Sequence, residues 1–160
     1  MIIAKAVCAV GLAAWAAAAQ VPVKHIQTAS AAIASAVWAG DTLYVSGQLA
    51  SPITPADAAK GTAAVYGDTK AQAFSSLTKI AAILKEEGLS MSDVVMMHVF
   101  LAGDPANGGK LDFAGLQASY TQFFGTKDQP NKPARSAMQV AALATPWALV
   151  EIEVIAVKSK

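Results

Sequence analysis

The segment that most constrains the fold is "GDTKAQAFSSLTKIAAILKEEGLS", residues 67–90, because its apolar residues follow the period of a helix. Thr69 and Gln72 have the spacing of a capping box at its start, and Gly88 stands where a left-handed C-terminal cap is expected. A helix with one apolar face has to bury that face against another layer of structure. This face is predicted to consist of Phe74, Leu77, Ala81 and Leu84.

Five strands and a second helix are predicted around this helix. "SAVWAGDTLYVSGQLA" predicts two strands joined by a turn at 39–42, and "SDVVMMHVFLAG" predicts a third. Two more strands, residues 133–142 and 148–157, are predicted to end the chain as an antiparallel hairpin. The second helix is predicted to begin after Asp112 and to end at Gly125, with one apolar face made of Phe113, Leu116, Tyr120 and Phe123.

The order of these elements predicts an α+β fold in which two helices pack on one face of a mixed sheet. In the last strand Glu151 and Glu153 alternate with apolar residues, so both are predicted to lie on the helix-free face. The same argument places Arg135 and Gln139 of the preceding strand on that face or at its rim. In a hairpin Gln139 would lie opposite Glu151. Arg135 is four residues further along the strand, which places it about 13 Å from Glu151 at about 3.3 Å per residue. Unless a bulge changes the register, a site that uses both charges would have to be shared between chains.

The N-terminal sequence "MIIAKAVCAVGLAAWAAAAQVPV" has the layout of a secretory signal peptide, with one early lysine and then an apolar run from Ala6 to Ala19. The run is too short for a helix that crosses a bilayer, which takes about 20 residues. We expect residues 1–19 to be a signal peptide and residues 20–160 to form a single domain that is periplasmic or secreted, with no membrane segment left. An uncleaved interfacial helix and a disordered alanine-rich tail are the alternatives.

Charge and residue types argue against nucleic-acid and metal partners. The chain has 12 lysines and arginines against 11 acidic residues, and removing Lys5 with the signal leaves 11 against 11. Binding to nucleic acid through phosphates needs a field of positive charge, so this partner is not expected. His25 and His98 are the only histidines, and the single cysteine, Cys8, lies in the predicted signal, so no metal site is expected either.

Arg135 is the only arginine among the 160 residues, and it lies in the segment "NKPARSAMQVAAL". A guanidinium is a planar fork that matches a carboxylate with two parallel hydrogen bonds, whereas a lysine ammonium is a point charge. The residue therefore indicates either a carboxylate-binding site or an internal salt bridge to a nearby acid.

Five segments resemble, in order and spacing, the RidA/YjgF family of enamine and imine deaminases: "GDTLYVSGQ", "AQAFSSLTKIAAILKEEGLSMSDVV", "ASYTQFF", "PARSAMQVAAL" and "VEIEVIAV". The resemblance extends from about Ile33 to Val157. It implies a chorismate-mutase-like α+β fold and a homotrimer whose sheets form a central barrel, with ligand clefts between subunits. It also implies hydrolysis of reactive 2-enamine or 2-imine acids, which are small carboxylate substrates, to 2-keto acids and ammonia without metal or organic cofactor.

The resemblance further implies roles for individual residues. Arg135 matches the family's carboxylate-binding arginine, and Glu151 matches its water-orienting glutamate. Gln117 occupies the place of an asparagine on the second helix, and Ser46 and Gly47 match the backbone wall of the cleft.

Other positions qualify this picture. Ala137 stands where many members have a cysteine, and its backbone is expected to contact the substrate, as is the hydroxyl of Tyr120. Ile33 replaces a tyrosine whose hydroxyl enters the cleft in many members, and the loops at 50–66 and 103–110 look longer than usual. The alternative is therefore a non-catalytic trimer of the same fold that binds small carboxylates or a partner protein.

Overall fold

The computed structural model describes residues 20–159; the predicted signal peptide, residues 1–19, lies outside the described residues. Every predicted strand and helix is present, and one additional strand precedes them. The strands are β1 (Val23–Ile26), β2 (Ala36–Ala39), β3 (Thr42–Gln48), β4 (Val94–Leu101), β5 (Ala134–Gln139) and β6 (Val150–Val157). The helices are α1 (Thr69–Glu86) and α2 (Phe113–Tyr120), and short 3-10 turns span Met91–Asp93 and Pro105–Asn107.

The strands follow the order β1-β2-β3-β6-β4-β5, and all neighbours are antiparallel except β4 and β5, which are parallel. α1 packs on β3 and β6, and α2 packs beside α1. The predicted α+β arrangement, a mixed sheet with two helices on one face, is confirmed. The predicted terminal hairpin is wrong, because β4 lies between β5 and β6. β5 follows a helical crossover from β4, and such a crossover joins parallel strands.

The core lies between the sheet and α1. Alternate residues of β6 point into it, and each is at most 2% exposed. Burial of a side chain such as Leu or Ile is worth about 1.5–3 kcal/mol, so this face of β6 is firmly directed toward the helices. The β6 residues are Val150, Ile152, Val154 and Ala156, and they share the core with Leu77, Ile80, Leu84, Met97, Val99 and Leu101.

The start of α1 differs from the predicted capping box. Asp68 is the N-cap, and its carboxylate accepts a 2.9 Å hydrogen bond from the backbone N–H of Ala71. Gln72 is buried and bonds to the chain before β6 instead, donating to the carbonyl of Trp147 and accepting from the N–H of Leu149. Asp68, one residue earlier than expected, already supplies the acceptor that the first turn needs.

The C-terminal cap of α1 is the predicted one, but the buried face of the helix differs from the prediction. Gly88 has a φ of +75°, and the N–H of Leu89 donates to the carbonyl of Leu84 at 2.8 Å, which is the expected glycine C-cap. Phe74 is 44% exposed, so the buried face is rotated toward Ile80.

α2 begins as predicted but is shorter. The carboxylate of Asp112 accepts a hydrogen bond from the N–H of Gly115 at 2.8 Å and caps the helix. The helix ends at Tyr120 instead of Gly125, and Phe113 is half exposed. Neither helix within residues 20–159 is long and apolar enough to cross a membrane.

The two segments predicted to be long loops fold back on themselves. Segment 50–66 is an arm closed by two isolated antiparallel bridges, and it ends at Tyr66, whose ring stacks on Trp147 at 3.5 Å. Segment 103–110 is a compact turn closed by backbone hydrogen bonds around Asp104.

Candidate functional site

Arg135 lies on the helix side of the sheet, in the edge strand β5, and its predicted place on the helix-free face is wrong. β5 pairs in parallel with β4, and Arg135 is the partner of Met97, a fully buried core residue. Paired residues of neighbouring strands point to the same face. The prediction failed because it took β6, instead of β4, as the neighbour of β5.

The guanidinium of Arg135 rests against one face of α2. Its Nη2 donates a hydrogen bond to Oε1 of Gln117 at 3.0 Å. Its Cζ lies 4.2 Å from the ring centroid of Tyr120 and 5.6 Å from that of Phe113, which are cation–π distances. Two aromatic rings and one amide therefore set the orientation of the fork.

The second terminal nitrogen of Arg135 has no partner. Nη1 is buried and makes no hydrogen bond, and no acid within residues 20–159 forms an ion pair with Arg135. The internal salt bridge that the sequence left open is thus absent from the described chain. Leaving a buried donor unsatisfied costs about 1–3 kcal/mol, a cost that an arriving acceptor such as a carboxylate removes.

Tyr120 meets Arg135 with its ring face. The side chain is 7% exposed, and burial raises the pKa of Tyr120 while the positive charge of Arg135 acts in the opposite direction. Phe113, Gln117 and Tyr120 stand at helical positions i, i+4 and i+7. This spacing is the signal that would have identified Phe113, which the sequence reasoning missed, as a neighbour of the arginine.

The other residues of β5 on this side have different surroundings. Ala137 is partly buried and packs against the core beside Val99. Gln139, also predicted to be on the helix-free face, instead accepts from the N–H of Leu111 at 2.9 Å and donates to the carbonyl of Gly109 at 3.1 Å. Gln139 therefore ties the turn before α2 to the sheet.

Glu151 and Glu153 lie on the helix-free face, as the alternation of β6 predicts. Glu151 is the cross-strand partner of Phe100, and Glu153 is the partner of His98. Nδ1 of His98 lies 2.9 Å from Oε1 of Glu153. Among residues 20–159 no group of three or more His, Cys, Asp or Glu side chains is arranged to hold a metal ion.

A bulge in β3 brings the backbone against Glu151. The register with β6 shifts between Val45 and Gln48, so that Ser46 and Gly47 together oppose one residue of β6. A Cβ at Gly47 would overlap the carboxylate of Glu151, so a larger residue there would push that carboxylate out of its present position. The hydroxyl of Ser46 donates to the carbonyl of Ala34 at 2.7 Å.

One chain does not bring Arg135 and Glu151 together. They lie on opposite faces, and β4 separates their strands, which amounts to about 10 Å across the sheet. On β4, Arg135 pairs with Met97 and Glu151 pairs with Phe100. These two positions are three residues apart, which adds about 10 Å along the strand direction.

Two cavities border these elements. One, of about 480 Å³, lies at the end of β3 and is lined by Ser46, Gln48 and Ile33, whose side chain is 69% exposed. A larger one, of about 710 Å³, lies on the outer face of the helices and includes Phe74 but neither Arg135 nor Glu151. The 480 Å³ cavity also includes neither Arg135 nor Glu151, but it borders the predicted site through Ser46.

The sequence model of the Endoribonuclease L-PSP family matches residues 22–158. The chain belongs to this family. Among relatives of the L-PSP family, a RutC family protein of Haemophilus influenzae is 39% identical over 137 residues, which are 84% of this chain and 95% of the relative. TdcF of Escherichia coli strain K12, provisionally named a reactive intermediate deaminase, is 37% identical over 120 residues, 75% of this chain and 81% of TdcF.

Solved structures place the fold in the same L-PSP family. The crystal structure of E. coli TdcF with bound serine has a TM-score of 0.64 and 34% identity, and covers 85% of this chain and 99% of that one. RidA from an Antarctic Psychrobacter has a TM-score of 0.61 and 34% identity, with 84% and 99% coverage. The RidA/YjgF resemblance of the sequence is thereby confirmed.

Proposed function

We propose that this L-PSP family protein hydrolyses small 2-imino and 2-enamine acids to 2-keto acids and ammonia. The observation that carries the proposal is the guanidinium of Arg135, which is held by Gln117 and Tyr120 and has a buried nitrogen without a partner. The provisional name of TdcF supports the reaction class. The serine bound to TdcF supports a ligand of the size of a small amino acid.

In the proposed reaction Arg135 binds the substrate carboxylate and fixes the imine carbon, which is already electrophilic. Glu151 orients a water molecule, whose oxygen attacks that carbon while the carboxylate accepts a proton. The proton passes to the substrate nitrogen and gives a carbinolamine. The C–N bond then breaks, and the hydroxyl proton leaves with the nitrogen as ammonia while the carbonyl forms.

Smaller roles complete the proposed cleft. Backbone groups at Ser46, Gly47 and Ala137 contact the carboxylate or the developing charge. The proposed role of α2 is to orient Arg135, through the hydrogen bond to Gln117 and the ring of Tyr120. No step of this chemistry requires a metal or an organic cofactor.

The proposed assembly is a homotrimer with clefts between subunits. Within one chain Arg135 and Glu151 lie on opposite faces of the sheet, so a cleft that uses both needs them from different chains. The helix-free face carries several partly exposed apolar side chains for such an interface, among them Tyr44, Phe100, Met138 and Ile155. The proposed molecule is the single domain of residues 20–160, exported after removal of residues 1–19.

A second candidate is a trimer that binds small carboxylates, or a partner protein, without turnover. The specific observation is Ile33, which replaces the family's tyrosine and offers no hydroxyl beside the cavity at Ser46. An RNA-cleaving function, which the name of the family evokes, has less support, because the formal net charge is only +1 and gives little attraction for phosphates.

The test generates imino acids in situ with an amino-acid oxidase and follows their hydrolysis by the purified protein and by Arg135→Ala. We expect the wild type to accelerate hydrolysis and the variant to lose about 10- to 100-fold in kcat/KM, because a charge-assisted pair to the carboxylate is lost. Arg135→Lys is the matched control, since it keeps the charge and removes the planar fork.

Two results would count against the proposal. Hydrolysis at the buffer rate across several substrate side chains, combined with carboxylate binding that needs Arg135, would favour the binding trimer. Full activity of Arg135→Ala would remove the arginine from the mechanism.

A further inference from the structure

The 710 Å³ cavity on the outer face of the helices has the dimensions of a ligand site. Sites for small molecules in proteins measure about 300–1,000 Å³, and this volume falls in that range. Three parts of the chain line the cavity: the start of the arm, 51–53, the N-terminal part of α1, 68–79, and the end of α2 with the residues after it, 119–122. The residues proposed to carry out hydrolysis do not line it.

One stripe of α1 contributes most of this lining. Ala71, Phe74, Ser75 and Thr78 lie at helical positions i, i+3, i+4 and i+7, which share one face of the helix. The ring of Phe74 is 5.3 Å from the ring of Phe123, a contact that supports it from one side. The side chain of Phe74 is nevertheless 44% exposed. The stripe therefore presents an aromatic ring to the cavity.

The arm adds a second apolar side chain to the cavity and is fixed to α1. The backbone N–H of Ser51 donates a hydrogen bond to the hydroxyl of Ser75 at 2.9 Å. The side chain of Ile53 reaches Gly67, where a Cβ would come within 2.7 Å of its Cδ1, and Ile53 is still 63% exposed. Removing apolar surface from water is favourable, so this lining favours a ligand with an apolar body.

The cavity also contains a cation without an acidic partner. Nζ of Lys79 donates a hydrogen bond to the carbonyl of Leu49 at 2.9 Å, which holds the ammonium next to the beginning of the arm. No acid within residues 20–159 forms an ion pair with Lys79 or with Lys70, the other lysine of the lining. An ammonium has three N–H donors, so Lys79 has donors left for an anionic ligand.

The single acid that lines the cavity is already engaged. The carboxylate of Asp68 caps α1 by accepting from the N–H of Ala71 at 2.9 Å. Asp68 and Lys79 are eleven residues apart, which is about 16 Å along a helix at about 1.5 Å per residue. Lys70 lies at the same end as Asp68 and offsets its charge. The end of the cavity at Lys79 is therefore the one that suits an anion.

We propose that this cavity binds a small aromatic carboxylate. The ring of the ligand lies against Phe74 and Ile53, and its carboxylate accepts hydrogen bonds from Lys79. Aromatic pairs gain more than their buried area alone provides, and charge-assisted hydrogen bonds are about twice as strong as neutral ones. The site lies on the helix side of the sheet, so a trimer formed through the helix-free face leaves it open. It does not depend on the proposed hydrolysis.

The first test follows the amide NMR signals of the isotope-labelled protein during titration with hydrocinnamate. The protein carries Arg135→Ala, so that the proposed carboxylate site at Arg135 does not contribute. Saturable shifts are expected at Ser51, Ile53 and residues 74–79, with a Kd of about 0.1–1 mM, as suits a ligand of about ten non-hydrogen atoms. Hydrocinnamamide has the same ring without the charge and should bind at least about fivefold more weakly. The absence of saturable shifts at these residues overturns the proposal.

The second test changes the two groups that are proposed to hold the ligand. Lys79→Met removes the charge and keeps the length of the side chain, and it should weaken binding about tenfold. Phe74→Ala should weaken it about five- to tenfold. Lys79→Arg keeps a cation and should retain most of the affinity. Lys85→Met changes a lysine in the last turn of α1, outside the cavity, and should bind like the parent.

Melting temperatures show which of these variants fold. Unchanged affinity in a folded Lys79→Met overturns the proposal. If Lys79→Met does not fold, the comparison of carboxylate and amide decides, and equal affinity for the two overturns it.

The outcomes separate this site from the proposed reaction. Hydrocinnamate that binds the wild type but not Arg135→Ala belongs to the arginine, which overturns the cavity as its site and leaves the proposed function standing. Binding in Arg135→Ala, together with a wild type that does not hydrolyse imines, supports the cavity and removes the proposed function.

Discussion

The single arginine of this chain takes its role from the side chains that surround it. Arg135 lies over the ring of Tyr120 and bonds to Gln117, both from the same face of α2. No acid in the described chain neutralises it. The guanidinium is thus oriented by uncharged groups, which leave its charge available for a ligand.

Tyr120 is predicted to act through its ring and not through its hydroxyl. Tyr120→Leu should raise KM about five- to tenfold with kcat within about twofold, because a cation–π contact of about 1 kcal/mol that orients the fork is lost. Tyr120→Phe keeps the ring and should be close to wild type. Steady-state kinetics on oxidase-generated imines check this, with melting temperatures to show that both variants fold. Equal impairment of the two variants would instead assign the role to the hydroxyl.

At the level of elements, the end of α1 is joined to the first strands by one carboxylate. Trp38 of β2 donates its indole N–H to Glu87 at 2.7 Å, and Lys24 of β1 lies 3.3 Å from the same oxygen. The hydrogen bond from Trp38 lowers the pKa of Glu87, burial opposes it, and Lys24 adds to the lowering. This contact holds the edge of the sheet to the helix layer.

The contribution of Glu87 to stability is predicted to disappear in acid. Because the pKa is lowered in the folded state, the stabilisation is present at neutral pH and is lost as pH falls through that folded-state pKa. Glu87→Gln should lower the free energy of unfolding by about 1 kcal/mol at neutral pH, and the difference from wild type should shrink in acid. Urea denaturation at several pH values measures it. The exposed neighbour Glu86→Gln is the control, and a loss independent of pH would contradict the argument.

Most elements could be predicted from the sequence because their patterns are local. α1 has a full amphipathic period and a glycine cap, and β6 alternates along its length. β1 could not be found, since its four residues are mostly exposed and show no alternation. The neighbour of β5 could not be found either, because pairing is decided by the crossover through α2 and not by the strand's own residues.

For the candidate site too, residue types could be read from the sequence but strand pairing could not. Arg135 stood out by its residue type, and Glu151 was placed on the correct face by the parity of β6. The face of Arg135 depended on which strand lay beside it, so its contacts with Phe113 and Tyr120 were not predicted. Residue type marked Arg135 as a candidate for binding a carboxylate, while long-range topology determined its surroundings.

At the scale of the whole molecule, the proposed trimer with clefts shared between chains predicts complementation. Arg135→Ala and Glu151→Gln should each be strongly impaired alone, Arg135→Ala by the loss of about 10- to 100-fold expected above. Trimers assembled from an equal mixture of the two, unfolded and refolded together, should recover activity in about a quarter of their clefts, because some clefts receive the intact residue from each chain. The measurement is imine hydrolysis before and after co-refolding. If trimers shown to contain both variants recover no imine hydrolysis, the whole site lies within one chain.

The contact between Gly47 and Glu151 has a consequence for how this sequence diverges. Because a Cβ at position 47 would overlap the carboxylate at 151, a larger residue at 47 requires that carboxylate to move or to be lost. A descendant that loses the glutamate releases the constraint on the glycine, and a larger residue at 47 then accumulates without penalty. A glutamate regained afterwards would have to hold its carboxylate in a different position unless the glycine also returned.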